Sequence, residues 1–191
     1  MAKINVDAAI SKNSGTAAAA AIARNEAGVF LGASVLVVSG MPNVETMEAV
    51  ASREGLALAA DLVLRKFRLA SDCLSVVKAI HGAGLEHYGH IVKEIKARST
   101  AFEYSEFVHE SRLSNTDAHL IARGSVNLDI GRHVWFLGPQ RVFVIPLRRL
   151  GAEASVAICL VVASRGSFRR YSTAAWRTIE QPLPGKVRWM H

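Results

Sequence analysis

Lys3-Ile4-Asn5-Val6-Asp7 is the run on which the reading of this chain turns. Ile4 and Val6 alternate with Asn5 and Asp7, the period of a strand with one buried face. Such a strand, ending on a carboxylate, sets a charge close to a core, where charge is costly. Two more acids stand at comparable junctions. Glu48 opens the helical pattern that follows Pro42-Asn43, and Asp72 closes the short apolar strand Leu69-Ala70-Ser71-Asp72. Carboxylates gathered from strand ends and a helix start offer oxygen ligands to hard divalent cations. Two such cations can drive phosphodiester hydrolysis. The order strand Asp, helix Glu, strand-end Asp therefore frames a hypothesis of metal-dependent phosphodiester chemistry.

The pattern around this trio predicts the remaining elements. Ser11 to Gly15 reads as a turn, and Ala17–Arg24 and Val29–Val38 as two strands joined by hairpin chemistry at Asn25-Glu26-Ala27-Gly28. The consecutive alanines Ala17 to Ala21 favour helix by propensity. The flanking turns leave too little length for one, so a strand is expected there. Asn43 is a plausible N-cap for a helix running to about Leu64, with Met47, Val50, Ala51, Leu58 and Leu62 on its apolar face. Beside Glu48 lies a stripe of small residues, Ser52, Gly55 and Ala59, suited to close packing. A short strand at Phe67–Ala70, a helix over Asp72–Ala83, a helix over Tyr88–Ser99, a strand at Tyr104–His109 and a last helix capped by Ser114-Asn115 complete the order βββαβααβα. The expected fold class is α/β, a five-stranded mixed sheet flanked by helices.

Length and composition bound the rest. A chain of 191 residues, half of them hydrophobic, is large enough for one domain with an appendage. Cys73 and Cys159 make neither a disulfide framework nor a zinc cluster and read as buried free thiols. No secretory signal is visible, and the longest apolar run, Ala154–Ala163, is well short of the roughly 20 residues of a membrane-spanning helix. The expectation is an intracellular, monomeric protein without a membrane partner. The net charge of +7 is unevenly placed. Met1 to Arg123 holds 13 basic and 13 acidic residues, whereas Gly124 to His191 holds 10 basic and 3 acidic ones. Any basic surface on the first part must come from local clusters, such as Arg65, Lys66 and Arg68, or Lys93, Lys96 and Arg98. Each reads equally well as a solvated flank. Beyond Ser125 the segment Val134-Trp135-Phe136-Leu137-Gly138-Pro139 reads as an apolar hook ending in a turn. The runs Val142–Leu147 and Ala154–Ala163 are β-like without recognisable partners, and Arg165–Arg177 is basic. The expected division is a domain over 1–125, a docking segment over 126–139, and a poorly integrated basic extension over 140–191.

The ordered pieces resemble the ribonuclease H type 1 superfamily, and within it the plant reverse-transcriptase-like domains related to non-LTR retrotransposons. They are Ile4-Asn5-Val6-Asp7; Met47-Glu48-Ala49 with Arg53-Glu54-Gly55-Leu56-Ala57-Leu58-Ala59; Ala70-Ser71-Asp72-Cys73 with Val76-Val77; and Phe107-Val108-His109 with Arg112, Asn115 and Ala118-His119-Leu120-Ile121-Ala122. Arg132-His133-Val134-Trp135-Phe136-Leu137-Gly138-Pro139 resembles the tail that follows such domains. Alanines and Arg24-Asn25 replace the family's usual hairpin glycines and Arg-Asp. His119 stands at the fourth metal-site position, commonly Asp, with Asp117 two residues before it. Imidazole is a poorer magnesium ligand than carboxylate. Ser111–Ser114 is also too short to carry the family's mobile-loop histidine.

The resemblance implies a ribonuclease H-like fold and endonucleolytic cleavage of the RNA strand of an RNA–DNA hybrid, with Mg²⁺ (or Mn²⁺) as cofactor and nucleic acid as partner. Asp7, Glu48 and Asp72 would hold the metals, and His119 would border the catalytic site. Asn13, Ser14 and Asn115 are candidates for nucleic-acid backbone contacts. Ordinary readings stand beside these: Asp7 as a strand-edge polar residue, Glu48 as a first-turn charge, Asp72 as an N-cap for the following helix. His109 reads as a strand residue packed beside the last helix, and His81, His87 and His90 as surface residues. A non-catalytic nucleic-acid-binding or protein-interaction module that keeps the fold and has lost turnover, or a product in which Leu147–His191 is an unselected extension, are the alternative readings of the chain.

Overall fold

The opening alternation becomes strand β1 (Ala2–Ser11), in which Ile4 and Val6 are fully buried. The structure, a computed structural model, describes residues 1–40, 43–83, 86–138 and 141–142. All of these belong to one unit, Met1–Val144. β1 pairs antiparallel with β2 (Thr16–Arg24), and β2 with β3 (Phe30–Ser39). The β2–β3 turn is closed by Asn25, whose side-chain oxygen accepts hydrogen bonds from the Ala27 and Val29 amides. Gly28 takes the left-handed φ of 76° that this turn requires.

Ala17 to Ala21 are strand residues, as expected, and all five are completely buried. β2 lies inside the sheet with helices on both faces, and tertiary pairing overrides helix propensity. Ala17, Ala19 and Ala21 line the main core. Ala18 and Ala20 point to the opposite face by alternation.

Helix α1 (Val44–Asp61) begins as read, with the Asn43 side chain accepting from the Glu45 amide. It packs on β1 and β2 through its small residues. A Cβ on Gly55 would stand 2.7 Å from Leu69 Cδ1 and 2.8 Å from Val6 Cγ1. The glycine is therefore a condition for how closely α1 approaches the sheet.

β4 (Lys66–Ser71) runs parallel to β1, and β5 (Tyr104–His109) parallel to β4. Between them come α2 (Leu74–His81) and α3 (Gly89–Ser99). A 3₁₀ turn (Arg112–Asn115) leads into α4 (Thr116–Ser125), which packs on β1 and β2 opposite α1. The order βββαβααβα thus holds through residue 125.

The sheet, however, is larger than five strands. Among the described residues it has seven, ordered β5-β4-β1-β2-β3-β6-β7. The expected hook is strand β6 (Gly131–Gly138), antiparallel to β3, followed by the two-residue β7 (Arg141–Val142). β6 covers the backbone edge that β3 would otherwise expose. It is also tied by charge: Arg132 donates to Glu54 Oε1 at 2.7 Å and to Asp61 Oδ2 at 2.5 Å, both on α1. Ala154–Ala163, Arg165–Arg177, Cys159 and nearly all of the expected extension over 140–191 lie outside the described residues. No helix among the described residues is long and apolar enough to cross a membrane.

Two helix-start readings need correction. Asp72 does not cap α2: Cys73 occupies the cap position without a side-chain hydrogen bond, and Ser71 Oγ accepts from the Cys73 amide. Nor does the Asn115 side chain cap α4, because it bonds elsewhere. His109 ends β5 exposed rather than packed against α4. His81, His87 and His90 are exposed, as read.

Glu54 is 5% exposed in its side chain, and Arg132 is its ion-pair partner at 2.7 Å. Arg132→Ala is expected to destabilise the fold by about 1–3 kcal/mol, because a buried carboxylate loses a charged partner. Chemical denaturation of the full chain measures this. An unchanged denaturation midpoint would show that β6 contributes nothing to the domain through this contact.

Candidate metal centre

The last parallel pair between β1 and β4 is Val6 with Ser71, so Asp7 and Asp72 are the next residues at the same end of neighbouring strands. β4 stops there while β1 continues to Ser11. Glu48, one turn into α1, meets both aspartates at that level. One carboxylate oxygen from each of Asp7, Glu48 and Asp72 lies within 4.8 Å of the others. Asp7 and Glu48 are buried and Asp72 is half-buried.

Close packing of like charges away from water raises their pKa values. Burial, followed by the charges of Asp7 and Asp72, pushes Glu48 up to about 8. Burial also lifts Asp7 to about 6, against the lowering effect of its hydrogen bond with His119. Glu48 Oε2 is buried with no hydrogen-bond partner. Glu48, with one orphaned oxygen, and the nearby carboxylates of Asp7 and Asp72 make an all-oxygen donor set, the chemistry that suits magnesium, manganese or calcium. The residues present therefore fit a divalent cation.

His119 arrives from the opposite face of the sheet. Asp7 pairs across the ladder with Ala20, so small side chains lie beneath α4 here. His119 Nδ1 stands 2.8 Å from Asp7 Oδ2. α4 is anchored at its first turn by Asp117, which accepts from Arg24 at 2.6 Å.

Asn115 is 1% exposed, and its polar atoms are committed within the chain. Its Nδ2 donates to the Val6 carbonyl at 2.8 Å and to Asp72 Oδ1 at 3.3 Å, while its Oδ1 accepts from Asn5 at 3.0 Å. It ties the turn before α4 to β1 and to the end of β4. The expected backbone-contacting role does not suit a side chain so enclosed. Asn13 and Ser14 are exposed at the β1–β2 turn, with Ser14 Oγ 2.6 Å from Thr16 Oγ1. Sequence reasoning missed Asn5. The signal was present, since alternation places Asn5 and Asp7 on one face of β1. It also missed that Arg112 Nε stands 4.0 Å from Asp72 Oδ2.

Four of the six side chains in the basic clusters read from the sequence meet glutamates. Arg65 and Lys66 meet Glu103, Arg68 meets Glu106, and Arg98 meets Glu94. Cys73 is half-buried, its Sγ 3.2 Å from Ser75 Oγ.

No curated protein matches the sequence. Solved structures share the fold. The N-terminal RNase H domain of a Mycobacterium tuberculosis protein, fused to maltose binding protein, is 20% identical with a TM-score of 0.59, over 66% of this chain and 93% of that one. RNase H1 from the halophilic archaeon Halobacterium salinarum is 22% identical with a TM-score of 0.55, over 65% of this chain and 96% of that one. LC11-RNase H1 in complex with an RNA/DNA hybrid is 18% identical with a TM-score of 0.58, over 66% of this chain and 97% of that one. At these identities the likeness establishes the fold. Residues 5–125, from the centre of β1 to the end of α4, match the family described as reverse transcriptase-like. With that match spanning the whole carboxylate site, the chain belongs to the reverse transcriptase-like family of the ribonuclease H superfamily.

Proposed function

We propose that this protein is a metal-dependent endonuclease that cleaves the RNA strand of RNA–DNA hybrids. The observation that carries the reading is the convergence of three carboxylates within 4.8 Å at one end of the sheet. Without a cation this arrangement is electrostatically unfavourable; with one it is a ligand set. Asp7, Glu48 and Asp72 would hold Mg²⁺ or Mn²⁺. Bound there, divalent cations supply activation of an attacking water and stabilisation of the leaving oxygen in phosphodiester hydrolysis.

The side chains divide the remaining work. Asp7, from β1, would serve both ions. Glu48 and Asp72 flank it. Glu48 also stands where it could orient a ribose 2′-hydroxyl, the group by which proteins tell RNA from DNA. His119 holds Asp7 in place from α4. Asn115 fixes Asp72 relative to β1. A solved neighbour holds an RNA/DNA hybrid, which supports this choice of substrate.

A labelled RNA–DNA hybrid incubated with Mg²⁺ or Mn²⁺ is expected to be cut in its RNA strand, and Asp7→Asn is expected to abolish the cut. His119→Asp should cleave at least as fast as the parent, because carboxylate is the better magnesium ligand. Equal cleavage by Asp7→Asn would refute the assigned centre. No cleavage by the parent with either cation would favour a non-catalytic nucleic-acid-binding module on the same fold.

Stability follows from the same charges. The folded pKa of Glu48, about 8, lies above its ordinary 4.5. In the chelated protein its contribution is therefore fully present below about pH 4.5 and is lost as pH rises through about 8. Asp7 acts in the same direction, from 3.8 to about 6. The unfolding temperature in chelator is expected to fall over this window. A divalent cation at about a hundred times its Kd should restore about 2.7 kcal/mol, and more of the rescue should appear at high pH. Scanning calorimetry with and without cation checks this. Cation-independent unfolding at pH 8 would count against binding at these carboxylates.

A further inference from the structure

We propose that Arg112 and Leu113 form a rigid substrate-contacting finger beside the metal centre, in which Arg112 takes a phosphate of the bound duplex and Leu113 packs on the adjoining sugar. This rests on the nucleic-acid reading above and specifies how the substrate is held.

Leu113 is 90% exposed and Arg112 74% exposed in its side chain. A single exposed leucine is ordinary; this one sits on a fixed support. The turn is closed by the Ser114 amide donating to the Ser111 carbonyl at 2.9 Å and by Thr116 Oγ1 donating to the Leu113 carbonyl at 2.9 Å. Its base is the buried Asn115, bonded to both β1 and Asp72. The finger is thus locked in register with the carboxylates, while its tips reach into solvent.

Charge points to the ligand. The first 123 residues carry no net charge, and the Arg65, Lys66, Arg68 and Arg98 side chains meet glutamates. Arg112 is a cation set directly at the metal centre, with Asp72 at a loose 4.0 Å. An exposed guanidinium there suits a phosphate, by charge-assisted hydrogen bonds. An adjoining apolar side chain gains nothing from a phosphate. It gains by covering sugar surface in the groove next to it. The two residues therefore have separable signatures: a phosphate contact releases counterions and makes binding salt-dependent, whereas an apolar contact does not.

The test is binding of a fluorescent RNA–DNA hybrid by the full chain across a range of salt. Asp7→Asn in Mg²⁺ serves as the uncut reference, and Arg112→Gln and Leu113→Ala are added to it. Arg112→Gln should weaken binding about tenfold and reduce the slope of log K against log salt by about one. Leu113→Ala should weaken binding by a similar factor, about tenfold, with the slope unchanged. Leu113→Met should restore affinity. Both sites are exposed, so unfolding temperatures should equal that of the reference. Binding equal to the reference in both variants, or an Arg112→Gln slope equal to the reference, overturns the finger and leaves the nuclease reading intact. The expected differences in a chain whose parent form does not cleave sustain the finger and remove the nuclease reading. No binding of hybrid by the reference overturns both.

Discussion

Mutual repulsion of three carboxylates at the end of the parallel strands is the constraint the rest of this structure answers to. Two unit charges 4.8 Å apart repel by about 3 kcal/mol at an effective dielectric constant near 20. A fold holding three of them together must be stiff enough to resist spreading. The stiffness here is local and identifiable. Gly55 lets α1 sit hard against Val6 and Leu69, which sets the depth of Glu48. The parallel register of β1 and β4 sets Asp7 beside Asp72. Asn115 bonds the Val6 carbonyl and the Asp72 carboxylate together. Burial first, and the charges of Asp7 and Asp72 second, push Glu48 up to about 8, so protonation relieves part of the remaining strain.

Much of this was legible in the sequence, for reasons that are physical. Alternation in Ile4-Asn5-Val6-Asp7 fixes a strand because a half-buried strand has period two. The small-residue stripe from Ser52 to Ala59 foretells close helix–sheet packing for the same reason that Gly55 has no room for a Cβ. The trio of acids stands out because each sits beside apolar residues in or next to a regular element, where a carboxylate is costly. Asn115 was misjudged: a short polar residue before a helix looks like a cap or a surface contact, and its burial depends on Asn5, Val6 and Asp72, all distant in sequence. β6 was misjudged as well. Its pairing with β3 and the Arg132 contacts to Glu54 and Asp61 are all distant in sequence and leave no local signature.

β6 also changes what the domain is. The family match ends at residue 125, yet the sheet continues through β6 and buries the outer edge of β3. An uncovered β3 would present a long unpaired strand edge, a template for pairing with another chain. The Arg132 bridge makes this cover specific. Glu54 and Asp61 both lie on α1, the helix that carries Glu48, so the segment beyond the family core reaches the helix of the candidate site through the two ion pairs of Arg132.

His119 stands where a further carboxylate would add to the repulsion. A fourth acid would set another like charge within hydrogen-bonding distance of Asp7, a buried carboxylate whose pKa is already raised. An imidazole imposes no such charge, and its Nδ1 bonds Asp7 Oδ2 at 2.8 Å. The metal-free protein is then easier to hold together. The cost falls on the cation, since nitrogen is a weaker partner for magnesium than carboxylate oxygen and relatively better suited to softer transition ions. The residue at this position sets a balance between the stability of the empty centre and its grip on a hard cation. On the proposed reading, the carboxylates of Asp7, Glu48 and Asp72 would then carry the attraction for the ion.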